Sequence, residues 1–256
     1  MLIARYEAEG RRHFGIVDGD RLHRLVEPPW RSLDRSGETD RLGAARLLCP
    51  VDSPRIFGVG LNYVAHIREA GAPTPEVPLL FMKPTTAAIG PEEPIVYPRE
   101  GREVHFEAEL AVVIGRKARR MKAAEALGCV LGYSCANDVS ERVIQRAEMD
   151  QGALLVGKGF DTFCPIGPVI ATGLDPAALS VEARVNGETR QSAPTSDLLF
   201  GVAELIAWLS SAVTLLPGDV IITGTPSGVG PVVPGDVVEI EISGIGVLRN
   251  PVVAEA

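Results

Sequence analysis

The chain lacks the marks of several large protein classes. Its four cysteines, Cys49, Cys129, Cys135 and Cys164, form no CxxC pair and no zinc-ligand spacing, which excludes a zinc ribbon or a redox dithiol. A chain of 256 residues needs no disulfide framework, and free thiols in a reducing compartment are the plain expectation. Lysine and arginine total 25 against 33 aspartates and glutamates, a formal net charge of −8. No basic stretch is dense enough for a nucleic-acid footprint. No apolar run is long enough to span a bilayer. The opening MLIARYEAEGRRHFG has neither the apolar centre nor the cleavage site of a signal peptide. The expectation is a soluble, cytoplasmic protein without nucleic-acid or membrane partners. There is no low-complexity tract, and no repeat beyond two Pro-Gly-Asp turns near the end.

What is present favours strands. Hydrophobic residues make up 46% of the chain, with 27 glycines and 20 prolines, a balance that suits many strands and turns better than a helical bundle. Residues 1–52 alternate loosely and turn at Glu-Gly and Asp-Gly-Asp, and read as a small β-rich subdomain. Residues 53–256 form the main domain. Within it, VEARVNGETR is a hairpin turning at Asn-Gly. YVAHIREAG is a short helix stopped by Gly71. VAELIAWLSSAV is an amphipathic helix burying Val202, Leu205, Ile206 and Leu209. Strands outnumber helices without strict βαβ alternation. The fold class is therefore α+β and β-rich, a mixed sheet rolled into a sandwich or pseudo-barrel with a few short covering helices.

VHFEAELAVVIG, residues 104–115, reads as a buried strand, yet it carries two carboxylates. Alternation puts Glu107 and Glu109 on one face. Like charges so placed repel unless a cation or proton lies between them. They form either a solvated pair on an edge strand or part of an oxygen-ligand site for a hard divalent cation. Asp138 offers a third carboxylate at a strand-to-helix switch. With Glu141 it also matches a capping box, the commoner role. Asp138, Arg142 and Gln145 are spaced to share a helical face.

His66 and Glu69 are three apart on the short helix, the layout of a general base backed by a carboxylate and equally of a surface pair. The Pro-rich segment after them reads as a loop that could act as a flap. Lys158 sits between glycines that let backbone approach a ligand, and reads as an oxyanion partner or an exposed loop lysine. TGTPSGVG, residues 223–230, lacks the GK[ST] ending of a phosphate loop. It can still present the Thr225 hydroxyl and backbone N–H groups to an anion.

Taken together, GLNYVAHIRE, LFMKP, VHFEAELAVVIG, GYSCANDVSERVIQ, GKGFDTFCPIGP, VNGETRQ, TSDLLF, PGDVIITGTPSGVG and PGDVVEIEI strongly resemble the fumarylacetoacetate hydrolase family over residues 53–252. The first fifty residues resemble the short, variable N-terminal part of bacterial members. The resemblance implies a homodimer and a Mg²⁺ or Mn²⁺ site at Glu107, Glu109 and Asp138. It also implies a catalytic His66–Glu69 dyad with Lys158, and substrate contacts from Tyr63, Arg142, Gln145 and Thr225. Many members carry tryptophan where this chain has Leu154, which points to a changed pocket. His105 occupies a variable position, beside the glutamates rather than among the ligands.

The implied chemistry is an enolate stabilised by a Lewis-acidic cation, formed from a small 2-oxo or dicarboxylic acid. The first reading is C–C bond cleavage, by acylpyruvate-type hydrolysis or oxaloacetate-type decarboxylation. The alternative is a 2-hydroxyhepta-2,4-diene-1,7-dioate isomerase of aromatic-acid catabolism. A third reading is a non-catalytic, ligand-binding relative.

Overall fold

The computed structural model describes residues 1–256. Its largest unit is a twelve-stranded sheet. From one edge the strands run Arg35–Arg41, Arg21–Leu25, Arg11–Asp18, Leu2–Ala8, Cys164–Ala171, Val130–Asn137, Ala108–Ile114, Val220–Ile222, Ile56–Gly60 and Leu79–Lys83, with two two-residue strands attached off this path. Most pairs are antiparallel, but Val220–Ile222 runs parallel to Ile56–Gly60, so the sheet is mixed. Leu2 and Ile3 pair with Ala171 and Ile170. The first fifty residues thereby extend the main sheet rather than building one of their own.

A five-stranded sheet packs against it, in the order Glu188–Pro194, Ser180–Val185, Val237–Ile242, Gly246–Ala254, Ile95–Tyr97. The hairpin between its first two strands turns at Asn186 and Gly187, both at positive φ, 54° and 81°. That is the backbone an Asn-Gly turn supplies at little steric cost. Leu110, Val112 and Cys135 of the large sheet share a core with Val181, Ala183, Ile240 and Leu248 of the smaller one. On the opposite face Ala111 and Val113 join a second core with Ile3, Ile56, Ile166 and Ile222. All seven residues of Ala108–Ile114 are buried. Each large apolar side chain so placed contributes roughly 1.5–3 kcal/mol. The sandwich that the sequence predicts is therefore what forms.

Five helices cover it: α1 Val64–Glu69, α2 Ala123–Ala126, α3 Arg142–Met149, α4 Val156–Gly159 and α5 Val202–Ala212. In α5 the four residues singled out by periodicity are the buried ones, joined by Ser210. No helix is long and apolar enough to cross a membrane.

Two local expectations are corrected. The 104–115 stretch is not one strand. Val104–Phe106 belongs to a small three-stranded sheet, Ala108–Ile114 to the large one. Glu107 lies between them, its N–H donated to Asn137 Oδ1 at 2.9 Å rather than to a ladder partner. Asp138 does not cap a helix. Ser140 and Glu141 pair with His105 and Val104, which keeps the chain extended past Asp138. Helix α3 starts only at Arg142, capped by Glu141, whose Oε2 accepts from the Ile144 N–H at 2.6 Å.

Candidate active site

The break at Glu107 builds the site. With the strand interrupted, the Glu107 side chain turns in beside Glu109, and the Asp138 N–H donates to the Glu107 carbonyl at 2.9 Å. One oxygen from each of Glu107, Glu109 and Asp138 lies within 4.8 Å of the others, and all three residues are buried. This excludes the solvated-pair alternative for the two glutamates.

Three cations answer two of the three carboxylates, Glu107 and Asp138. The Lys158 ammonium donates to Glu107 Oε2 at 2.8 Å and Asp138 Oδ2 at 2.6 Å. Arg142 Nη1 lies 2.6 Å from Glu107 Oε1 and donates to Gln145 Oε1 at 2.8 Å. Lys83 donates to Asp138 Oδ1, and to the Val139 carbonyl at 3.1 Å. Lys158 is 4% exposed, so the exposed-loop alternative fails. Its one-turn helix α4 tucks against α3, where a Cβ on Gly157 would come within 2.5 Å of the Gln145 nitrogen. That close approach is what the flanking glycine provides.

The electrostatics split the two glutamates. Burial works against the charge of Glu107, but Lys158 and Arg142 outweigh it and hold the carboxyl well below its usual range. Glu109 moves the other way, pushed well up by burial and by the charges of Asp138 and Glu107. Burial opposes the charge of Lys158 too, yet Asp138 and Glu107 raise its pKa and keep it an ammonium. An all-oxygen donor set, crowded enough to make one member resist ionisation, fits a hard divalent cation such as Mg²⁺ or Mn²⁺.

A cavity of ≈ 430 Å³ opens onto this cluster; Glu107, Lys158, Thr225, His66, Glu69 and Arg142 line it. His105, Gln145 and Leu154 border it as well. His66 Nδ1 and Glu69 Oε2 are 2.9 Å apart. Tyr63 is placed differently from the other residues named from sequence. It is buried, outside the cavity lining, and its hydroxyl has no hydrogen-bond partner. Burial, then the charge of Glu109, raises its pKa. The backbone of the Gly-rich loop also has occupants within the protein. The Gly224 N–H donates to Glu109 Oε2 at 2.7 Å and the Gly228 N–H to Glu69 Oε1 at 2.9 Å.

Sequence reasoning missed two residues. Lys83 has a side chain with 0% exposure on Asp138. Its spacing from Phe81 put it on that residue's buried face, the one signal available. Gln191 is buried, accepts from the Ala108 N–H at 2.9 Å, and donates to Thr225 Oγ1 at 2.8 Å and the Pro226 carbonyl at 2.7 Å. It ties the Thr225 loop to the carboxylate strand. Its neighbours in the Glu188–Pro194 strand are mostly exposed, so no periodicity marks it.

Comparison with known proteins places this arrangement. The model for the fumarylacetoacetate (FAA) hydrolase C-terminal domain matches residues 55–253. The chain belongs to the fumarylacetoacetate hydrolase family. A second family model, Rv2993c-like, N-terminal, matches residues 1–50. The chain is similar to the crystal structure of 5-carboxymethyl-2-hydroxymuconate delta-isomerase from Mycobacterium smegmatis, at 43% identity and a TM-score of 0.93, covering 100% of both chains. It is similar to maleylpyruvate hydrolase from Sphingobium sp. SYK-6, solved with manganese(II) and pyruvate, at 34% identity and a TM-score of 0.83, again over 100% of both. Mitochondrial oxaloacetate tautomerase of Xenopus laevis is 45% identical over 81% of this chain and 68% of its own. This protein is an enzyme of that family, which removes the binding-only reading.

Proposed function

We propose that the protein is a divalent-metal-dependent enzyme acting on a small 2-oxo or β-diketo acid by way of an enolate, with C–C bond cleavage as its reaction. The observation that carries the reading is the buried Glu107–Glu109–Asp138 cluster at a cavity that also holds His66–Glu69 and Lys158. Glu107, Glu109 and Asp138 would hold the cation, Mg²⁺ or Mn²⁺, which supplies Lewis acidity for the enolate. The chain supplies the rest. Glu69 orients the His66 imidazole, which takes a proton from water for attack on a carbonyl. The Lys158 ammonium, desolvated and fixed, stabilises the oxyanion. Arg142, Gln145 and the Thr225 hydroxyl hold the carboxylate end of the substrate. Tyr63, which acts from behind the cavity wall, contributes through its packing near Glu109. Leu154, which lines the cavity, puts an aliphatic side chain where many members carry tryptophan.

Charge supports a dianionic substrate. Lys83, Lys158 and Arg142 pair with Glu107 and Asp138, and Glu109 adds a third carboxylate to the cluster without a cation of its own. A divalent cation added to that balance favours a ligand carrying two negative charges.

A second reading is isomerisation or tautomerisation of the same class of acid, as in aromatic-acid catabolism. The names of the Mycobacterium smegmatis and Xenopus laevis relatives support it, and it needs only the His66 base and the enolate. Assays with Mg²⁺ or Mn²⁺ on acylpyruvates, oxaloacetate and muconate-type dienoates separate the two. Hydrolysis or decarboxylation supports the first, proton transfer alone the second, and no turnover on any of them sinks both.

We also propose a homodimer in the cytoplasm, with no nucleic-acid or membrane partner. The open edge strand Leu79–Lys83 exposes Leu79, Leu80 and Met82, apolar surface of the kind a second copy would cover. Light scattering in solution tests it, and a monomer at micromolar concentration would rule it out.

A further inference from the structure

Helix α1 carries the His66–Glu69 pair but is poorly equipped to hold it. It has six residues, no side-chain cap, and Ile67 as its one buried residue. A helix that short does not stand on its own in water. Both of its ends are tied to the same loop, residues 223–230. At the start, Asn62 donates to the Thr223 carbonyl at 2.7 Å. At the end, Glu69 Oε1 accepts from the Gly228 N–H at 2.9 Å, while Glu69 Oε2 faces His66 Nδ1 at 2.9 Å.

That loop is itself braced from the Glu188–Pro194 strand. Gln191 holds Thr225 and Pro226. Gly228 sits at φ +98° against the Arg190 carbonyl, where an added Cβ would come within 2.1 Å of the oxygen. Only glycine adopts that backbone at that distance.

We propose that the backbone N–H of Gly228 is a positioning group for the His66–Glu69 pair. It anchors one oxygen of Glu69, so that the other takes the Nδ1 proton of His66 and Nε2 is left as the nitrogen able to accept a proton. The Glu188–Pro194 strand, which contributes no residue to the cavity lining, thus sets the tautomer and orientation of the base through this loop. The proposal rests on the reading of His66 as the base, but its structural half can be tested alone.

The test is amide exchange at Gly228, followed by NMR in the full-length protein labelled with ¹⁵N-glycine. In Glu69→Ala the exchange rate rises at least about tenfold over wild type, because the acceptor is gone. In Glu69→Gln, whose amide oxygen still accepts, it stays below that rise. A smaller rise in Glu69→Ala overturns the proposal, whatever the activity. The functional half is read from Gly228→Ala on whichever carbonyl acid the wild type turns over. Its kcat falls about tenfold to a hundredfold with KM within about threefold, and the limb of the pH–rate profile that reports the base shifts. Manganese affinity is unchanged. Wild-type kcat and pH profile in a folded Gly228→Ala protein also overturn it. If Gly228→Ala does not fold, the Glu69 pair of variants still decides. Exchange behaving as stated in a protein that turns over none of the acids leaves the anchor standing and removes the functional reading instead.

Discussion

Two charged clusters in this molecule look alike on paper and behave differently. In the first fifty residues Arg24 forks onto Asp40, with Nε to Oδ2 at 2.6 Å and Nη2 to Oδ1 at 2.7 Å. Tyr6 donates to the same Oδ2 at 2.6 Å, and Glu38 takes the remaining guanidinium nitrogen. The Arg24 hydrogen bond dominates and holds the Asp40 carboxyl down at about 2, against an opposing push from burial. Nothing is left over. At the cavity Glu107 and Asp138 pair with Lys83, Lys158 and Arg142, but Glu109 has no cation of its own, and one glutamate is driven down and its neighbour up. The buried side-chain polar atoms without a partner are the Tyr63 hydroxyl, His105 Nδ1, Asn137 Nδ2 and Arg142 Nη2. His105 and Arg142 line the cavity, Asn137 holds the Glu107 backbone, and Tyr63 feels the charge of Glu109. The four unpartnered atoms lie at or beside the carboxylate cluster, two of them in the cavity lining, and none at the Arg24–Asp40 fork, the pattern of a functional site rather than of groups that only hold the fold.

The largest expected effect comes from breaking the unsatisfied cluster. Glu107→Ala or Asp138→Ala abolishes both manganese binding and turnover, measured by calorimetry and by assay of the same preparations. Full activity in a metal-free preparation of either variant would remove the proposed site. Next is His66→Ala, which lowers hydrolysis about 10²–10⁴-fold with metal affinity near wild type. Unchanged hydrolysis would point to another base.

Lys83→Met sharpens the contrast in a different way. It strips a buried carboxylate of one of its two ammonium partners, and stability falls by about 3–5 kcal/mol in denaturant titration. A loss below about 1 kcal/mol would mean that Lys158 alone suffices for Asp138. The smallest effect belongs to the satisfied cluster. Because folding depresses the Asp40 pKa, its contribution is present above pH about 4 and is lost as pH falls through about 2. Asp40→Asn therefore costs about 1–2 kcal/mol at pH 7, and progressively less as the titration is repeated at pH 4 and pH 3. A gap that widens on acidification would contradict this.

These clusters also show what could be read from the chain. Alternation and turn residues gave the sandwich, the Asn186–Gly187 hairpin and the buried face of α5, because each depends on neighbours in sequence. The carboxylate cluster was legible as a possibility from Glu107, Glu109 and Asp138, and the family motifs gave it a role. The local route to it was not. A continuous strand was expected where Asn137 takes the Glu107 N–H and breaks the ladder, and a helix cap where pairing of Ser140 with His105 keeps the chain extended. Lys83 and Gln191 act across 55 and 34 residues of chain, on Asp138 and Thr225. Contacts of that range leave little trace in local pattern. The satisfied Arg24–Asp40 fork was equally invisible, since exposed strands carry such residues as a matter of course.

What remains to be tested is whether Glu107, Glu109 and Asp138 hold one divalent cation on which turnover depends. Titrating chelator-treated protein with Mn²⁺, while following bound metal by electron paramagnetic resonance and turnover on the acid it accepts, tests it most directly. The proposed site requires one Mn²⁺ per chain, activity rising in step with occupancy, and both lost in Asp138→Ala. Turnover at full rate before any Mn²⁺ is added, or saturable binding unchanged in Asp138→Ala, would contradict it.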